Sequence, residues 1–309
     1  MRFSKVHLRA LVTADWRELY PFESRFFDRG DGIRMHYIDE GGGDPVVMVH
    51  GNPTWSFYYR ELARALKQAG HRVIAPDHVG MGLSDKPCER RYEHTLRNRL
   101  RDLERLLSHL APGPVTLVVH DWGGPIGLGW ALREPARVKA LVILNTAAFL
   151  PPEGHRLPWQ LAPLRTALGP LLVQGANLFC LGAASGCARK TLSPVVRAGL
   201  LAPYDSWEHR HAVLRFVQDI PRRREDAAHA LLEWMGQELH RLAELPALIA
   251  WGKRDFVFGD AFLDEWRRRL PQAQVREFRD AGHYVLEDAR DELIPLIRDF
   301  ASKQVPQGR

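Results

Sequence analysis

Three short stretches place polar side chains just beyond apolar, strand-like runs. Val118-Val119-His120-Asp121-Trp122-Gly123-Gly124 sets a carboxylate at the tip of a buried-strand pattern, then glycines that permit a sharp turn into a helix. This is the outline of a nucleophile elbow, with Asp121 in the nucleophile's place and Val119 where the usual pattern has its first glycine. A carboxylate is ionised at neutral pH and attacks without a base. It suits displacement at carbon or the opening of a strained ring, and it leaves an ester on the enzyme.

Release of such an ester calls for an activated water and a histidine on a loop after the last strand. His283, in Asp280-Ala281-Gly282-His283-Tyr284, is in that position. Its orienting acid is expected at Asp255, after the apolar run ending at Trp251, which gives the chain order nucleophile, acid, histidine. Asn145 ends an earlier run where an acid would also serve, but it cannot supply charge. Glu287 and Asp288 are alternatives, although carboxylates opening a last helix are explained by its N-terminal dipole. The third strand end, His50-Gly51-Asn52-Pro53, is placed to donate a backbone N–H to an oxyanion hole together with the N–H of Trp122. The Asn52 amide and the Trp122 indole add side-chain donors for a halide or a developing oxyanion.

The elements that must hold these residues follow an α/β alternation. Strand-like segments at 33–39 and 46–50, separated by Gly41-Gly42-Gly43-Asp44-Pro45, predict a hairpin. The glycine triplet precedes a strand and opens no helix, so it is not read as a phosphate cradle. Helical periodicity over 55–70, a strand at 72–76, a helix at 95–110, strands at 115–120 and 141–144 and a helix at 125–132 predict a mostly parallel, doubly wound sheet. From 150 to 243 the pattern turns helical and proline-punctuated, the mark of an inserted cap. Strands at 247–251 and 275–278 and a helix at 291–300 then complete the core. The expected division is core at 1–149, cap at 150–243 and core again at 244–309. Trp159, Leu178, Phe179, Trp207 and Phe216 are the cap's candidates for lining a pocket, although aromatics in an all-helical insertion more often build its own core.

With 309 residues, 45% hydrophobic and 26% charged, the chain is of ordinary globular enzyme composition. A net charge of 43 − 37 = +6 comes without the clustered basic face that nucleic-acid binding requires. The runs 222–224 and 267–269 are read as solvated helix faces. Three cysteines, Cys88, Cys180 and Cys187, have neither zinc spacing nor disulfide density. The early apolar stretch is broken at Arg9 and Asp15, and no run approaches membrane-spanning length. A cytoplasmic protein acting on a hydrophobic small molecule, without cofactor or metal, is the expectation.

At His50-Gly51-Asn52-Pro53-Thr54-Trp55-Ser56, Pro76-Asp77-His78-Val79-Gly80-Met81-Gly82-Leu83-Ser84-Asp85-Lys86-Pro87 and His120-Asp121-Trp122-Gly123-Gly124 the chain resembles the haloalkane dehalogenase group of α/β-hydrolases. Further stretches at 55–60, 145–149, 203–207, 215–221, 251–258 and 282–288 resemble, within that group, the β-lactone decarboxylases of bacterial long-chain olefin biosynthesis. Departures are Pro221-Arg222, where the family continues Ile-Pro-Leu, and an Ala/Gly-rich stretch at 181–190.

The resemblance implies an α/β-hydrolase fold with a helical cap and a cis-3,4-dialkyl β-lactone as substrate. It further implies a cis-alkene with carbon dioxide or bicarbonate as products, and the other olefin-biosynthesis enzymes as candidate partners. Asp121 attacks either the ring carbon bearing oxygen or the carbonyl. A dehalogenase would instead use Asp121 to displace halide, held by Asn52 and Trp122. An epoxide hydrolase would need two cap tyrosines, of which Tyr204 is the one plausible example, and a non-catalytic receptor would not need the full set Asp121, Asp255 and His283.

Overall fold

The computed structural model describes residues 15–155 and 157–304. Its strands are β1 (Arg25–Asp28), β2 (Arg34–Glu40), β3 (Pro45–Val49), β4 (Arg72–Pro76), β5 (Val115–His120), β6 (Val138–Leu144), β7 (Ala247–Gly252) and β8 (Gln274–Phe278). They form one eight-stranded sheet in the order β1-β2-β4-β3-β5-β6-β7-β8. The pairings from β4 to β8 are parallel, and β1 and β2 join antiparallel at one edge. Every residue of β3, β5 and β7 is buried. A parallel sheet covered on both faces has no solvated side, which is why these strands read as unbroken apolar runs.

The hairpin expected between the first two segments does not form. β4 lies between β2 and β3, pairing Tyr37 with Pro76 on one side and Val46 with Val73 on the other. A strand buried on both faces needs a partner along each edge, and β3 finds them in β4 and β5. The glycine triplet has a packing role instead. Gly41 and Gly43 have φ of 79° and 80°, and a side chain on either would collide with the backbone carbonyl of His71 or Gly70. The edge strand β1 has no sequence signature, because a four-residue strand with a single buried position carries no alternation to read.

Helices in the core are α1 (Arg60–Gln68), α2 (Leu96–Leu110) and α3 (Gly123–Arg133). Between β6 and β7 lie α4 (Leu178–Gly186), α5 (Pro194–Leu201), α6 (His211–Gln218) and α7 (His229–Glu238), with 3-10 turns at Trp159–Leu161 and Pro163–Arg165 and a π-helical turn at Pro170–Gly175. After β7 come α8 (Asp260–Arg269), α9 (Val285–Asp288) and α10 (Arg290–Lys303). α1 packs against α10, and α3, which follows Asp121, packs between α2 and α7.

The two arginine runs differ from one another. Arg267, Arg268 and Arg269 close α8 and pair with Asp264, Glu265 and Glu277, as a helix face should. Arg222, Arg223 and Arg224 lie instead in an exposed turn, where Asp226 accepts the N–H groups of Arg222 (2.5 Å) and Arg223 (2.9 Å). Pro221 just before them and this Asp226 turn explain the missing helix. Among the described residues no helix is long and apolar enough to cross a membrane.

Candidate active site

β5 delivers Asp121 into the left-handed region at φ 51°, an uncommon conformation for a non-glycine residue. Three contacts hold it there. The Asp121 N–H donates to Asn145 O at 3.2 Å, its carbonyl accepts from Gly124 N–H at 3.0 Å, and the Thr146 hydroxyl donates to the same carbonyl. Gly123 permits the turn, since a Cβ there would collide with the carbonyl of Val49. The glycine missing at position 119 is compensated on the neighbouring helix. The Val119 side chain fills the space beside Gly127 of α3, where an added Cβ would come within 2.7 Å of Val119 Cγ1.

The backbone N–H of Asn52 donates to Asp121 Oδ1 at 2.6 Å, and the N–H of Trp122 lies close enough to the carboxylate to favour its charge. These are the two N–H groups expected of an oxyanion hole, and in this structure both face the Asp121 carboxylate. The Asn52 amide donates to Val213 O at 3.1 Å, which ties it to the helical insertion. Trp122 is partly exposed to the cavity, and its ring meets Phe216 at 5.5 Å. Arg99 lies 3.5 Å from the centre of the Phe216 ring. Phe216 therefore backs Trp122 and does not line the pocket.

His283 completes the expected set. Its Nδ1 lies 2.8 Å from Asp255 Oδ2 and its Nε2 lies 3.6 Å from Asp121 Oδ2. Burial disfavours the imidazolium, but Asp255 and Asp121 together outweigh it and raise the His283 pKa. Burial raises the Asp121 carboxyl, helped by Asp255 and opposed by His283 and the two N–H donors. Asp255 has its other oxygen on Val257 N–H at 2.7 Å, so the acid is fixed before it orients the ring.

By sequence Asn145 is only a position without charge. Its role is structural and specific: Nδ2 donates to Asp255 Oδ2 at 2.9 Å, and Oδ1 accepts Gly252 N–H at 2.8 Å. Asparagine's tolerance of the left-handed region, used here at φ 33°, was the available signal. Neither alternative acid reaches the imidazole. Glu287 pairs with Arg60 at 2.6 Å. Asp288 accepts the N–H groups of Gly282 (2.7 Å), Arg189 (2.8 Å) and Lys190 (2.7 Å), binding the histidine loop to the insertion. Tyr204 is buried with its hydroxyl near Thr54 O and Met81 Sδ, away from the cavity.

Asp121, Trp122 and His283 face a cavity of about 780 Å³ whose walls are mostly apolar. Trp159, Leu178 and Phe179 line it, as expected of three of the insertion's candidates; Trp207 does not. A second chamber of about 100 Å³ opens from Asp121 and Trp122 toward Phe149, Leu232 and Phe262. Among the described residues, Glu89, His94 and His211 have the mutual spacing of metal ligands. That group lies outside both chambers, and its carboxylate is already paired with His211 and Arg215.

Residues 44–171 match the α/β-hydrolase fold family model. A cis-3-alkyl-4-alkyloxetan-2-one decarboxylase of Shewanella oneidensis is 50% identical over 92% of this chain and 90% of its own. One from Xanthomonas campestris pv. campestris is 49% identical over 92% of this chain and 97% of its own. The solved structure of a haloalkane dehalogenase from Agrobacterium tumefaciens superposes with a TM-score of 0.82 at 27% identity, covering 91% of this chain and 97% of that one. The dehalogenase likeness gives the backbone, and the much deeper identity across nine-tenths of the sequence gives the branch. The chain belongs to the oxetanone decarboxylase family of the α/β-hydrolase fold.

Proposed function

We propose that this protein is a β-lactone decarboxylase that converts cis-3,4-dialkyl oxetan-2-ones to cis-alkenes and carbon dioxide, with Asp121 as nucleophile. The carrying observation is a carboxylate held by the Asn52 N–H, 3.6 Å from His283, facing an apolar cavity of about 780 Å³. The 50% identity to the Shewanella decarboxylase supports the substrate class. On this reading residues 150–243 act as the cap that closes the cavity and the enzyme works in the cytoplasm.

Asp121 attacks C4, the ring carbon bearing oxygen. The C4–O bond breaks, and the electron pair moves to the oxygen that becomes part of a free carboxylate on C3. Trp122 and Asn52 stabilise the charge gathering on that oxygen. Backside attack leaves the new ester bond anti to the bond between C3 and the carboxylate. That carbon–carbon bond then breaks, its electrons form the alkene, and Asp121 departs as a carboxylate with carbon dioxide released. Inversion followed by anti elimination keeps both alkyl groups on one side, so a cis lactone gives a cis alkene. No water enters.

Attack at the carbonyl would leave the C4–O bond still to be broken before any alkene could form. In the elimination step His283, oriented by Asp255, stabilises the departing Asp121 carboxylate as an imidazolium. Hydrolytic dehalogenation on the same residues would instead require His283 as a neutral base.

The test is to incubate the protein separately with a synthetic cis-dialkyl β-lactone and with 1-bromoalkanes. Cis-alkene formation abolished by Asp121→Asn is expected. Bromide release outpacing alkene formation would reassign the protein to the dehalogenases.

A further inference from the structure

Two chambers converge on the nucleophile, and both are walled by Asp121, Trp122, Leu161, Ile220 and Val257. Beyond that junction they diverge. The larger runs under α4, along Leu178, Gly182 and Gly186; the smaller runs between α7 and the core, along Leu232, Phe149 and Phe262. A dialkyl β-lactone has the same branching: one reactive ring and two arms on adjacent carbons.

Resting on the decarboxylase reading, we propose that each alkyl arm occupies its own chamber, so the enzyme measures the two arm lengths separately. The chamber of about 100 Å³ restricts one arm, while the chamber of about 780 Å³ admits the longer one. The Ala/Gly-rich stretch acquires a function here. Gly182 and Gly186 are four residues apart on α4, hence on one face, and with Ala183 they leave the floor of the larger chamber low. Both glycines are exposed, and a Cβ at Gly182 or Gly186 meets nothing within 4 Å among the described residues, so no side chain narrows the larger chamber along this wall. Leu232, 7% exposed, performs the opposite task in the smaller chamber by limiting its depth.

The experiment uses the full chain and two regioisomers, cis-3-octyl-4-butyl- and cis-3-butyl-4-octyl-oxetan-2-one. Both yield the same alkene, tetradec-5-ene, so one chromatographic calibration serves for both. The wild-type protein should prefer one isomer. Gly182→Phe, filling the larger chamber, should lower kcat/KM for the preferred isomer roughly 10-fold and leave the other within about 2-fold, the scale of discrimination that a few methylene groups bring in an apolar pocket. Leu232→Ala should do the complementary thing, raising the disfavoured isomer toward the preferred one. Thermal unfolding of each variant separates misfolding from altered selectivity, and Leu232→Ala gives an independent reading if Gly182→Phe fails to fold. Equal effects of each substitution on both isomers would overturn the assignment of arms to chambers while leaving the decarboxylase reading intact. Absence of alkene from both isomers would overturn both readings.

Discussion

Replacing His283 by Gln separates the two chemistries that this constellation can support. The imidazolium lies 3.6 Å from Asp121 Oδ2. At an effective dielectric of about 20, two full charges at that distance interact by about 4 to 5 kcal/mol. With roughly half the charge returned to Asp121 in the elimination transition state, the lost stabilisation is about 2 kcal/mol, or about 30-fold in rate. Because elimination needs no water, His283→Gln should therefore still produce alkene from a cis-β-lactone, slowed by roughly one to two orders of magnitude. With a 1-bromoalkane the same variant should stop after one turnover, because nothing activates water against the ester. Alkene is followed by gas chromatography, bromide by ion chromatography, and the ester by mass spectrometry of the peptide that contains Asp121. The reasoning fails if the lactone leaves a stable adduct on Asp121 and alkene formation ceases.

Three further outcomes are expected. The pKa of His283 is raised by Asp255 and Asp121 against burial, so the imidazolium persists above its ordinary value of about 6.5. Alkene formation should then fall as pH rises through that raised pKa while any bromide release climbs over the same interval, and pH profiles of kcat that share one limb would contradict the proposed role. Asn145→Ala removes the hydrogen bond to Asp255 and should lower kcat roughly 10- to 100-fold with KM little changed, the charge-assisted bond being worth about 1.5 to 3 kcal/mol; steady-state kinetics checks it. Asp77 is buried, which by itself would raise its pKa, yet His36 at 2.8 Å, His50 and the Leu83 N–H bring it down to about 2. A lowered folded-state pKa means stability present above the ordinary value near 3.9 and lost as pH falls toward about 2. Urea titrations across that interval should show a loss of about 2 kcal/mol, absent in Asp77→Asn.

The candidate site was legible because each member sits at the end of an apolar run, where a parallel sheet delivers its loops to one edge. Asp121, Asp255 and His283 follow β5, β7 and β8 in that way. What escaped were relations between segments. β4 inserts between β2 and β3 through pairing that no local pattern specifies, and the glycine turn suited a hairpin equally well. Asn145 appeared chemically empty because its value lies in an amide reaching 110 residues along the chain to Asp255. Val119 appeared to be a defect in the elbow until Gly127, eight residues later on the facing helix, proved to make room for it. Phe216 shows the remaining limit: periodicity identified a buried aromatic, but only packing decided whether it met substrate or the back of Trp122.

Asp288 has a consequence for anyone exchanging parts between these proteins. One carboxylate grips the backbone of Gly282 beside the imidazole and that of Arg189 and Lys190 in the helical insertion. The helical segment between β6 and β7 is thus riveted to the loop that carries the histidine, and a transplanted segment whose backbone does not present both amides would leave this anion stranded and shift the ring with it. Grafts should take the 187–190 corner and the acidic helix start together, and breathing of the chamber should be sought on the opposite margin, around Trp159.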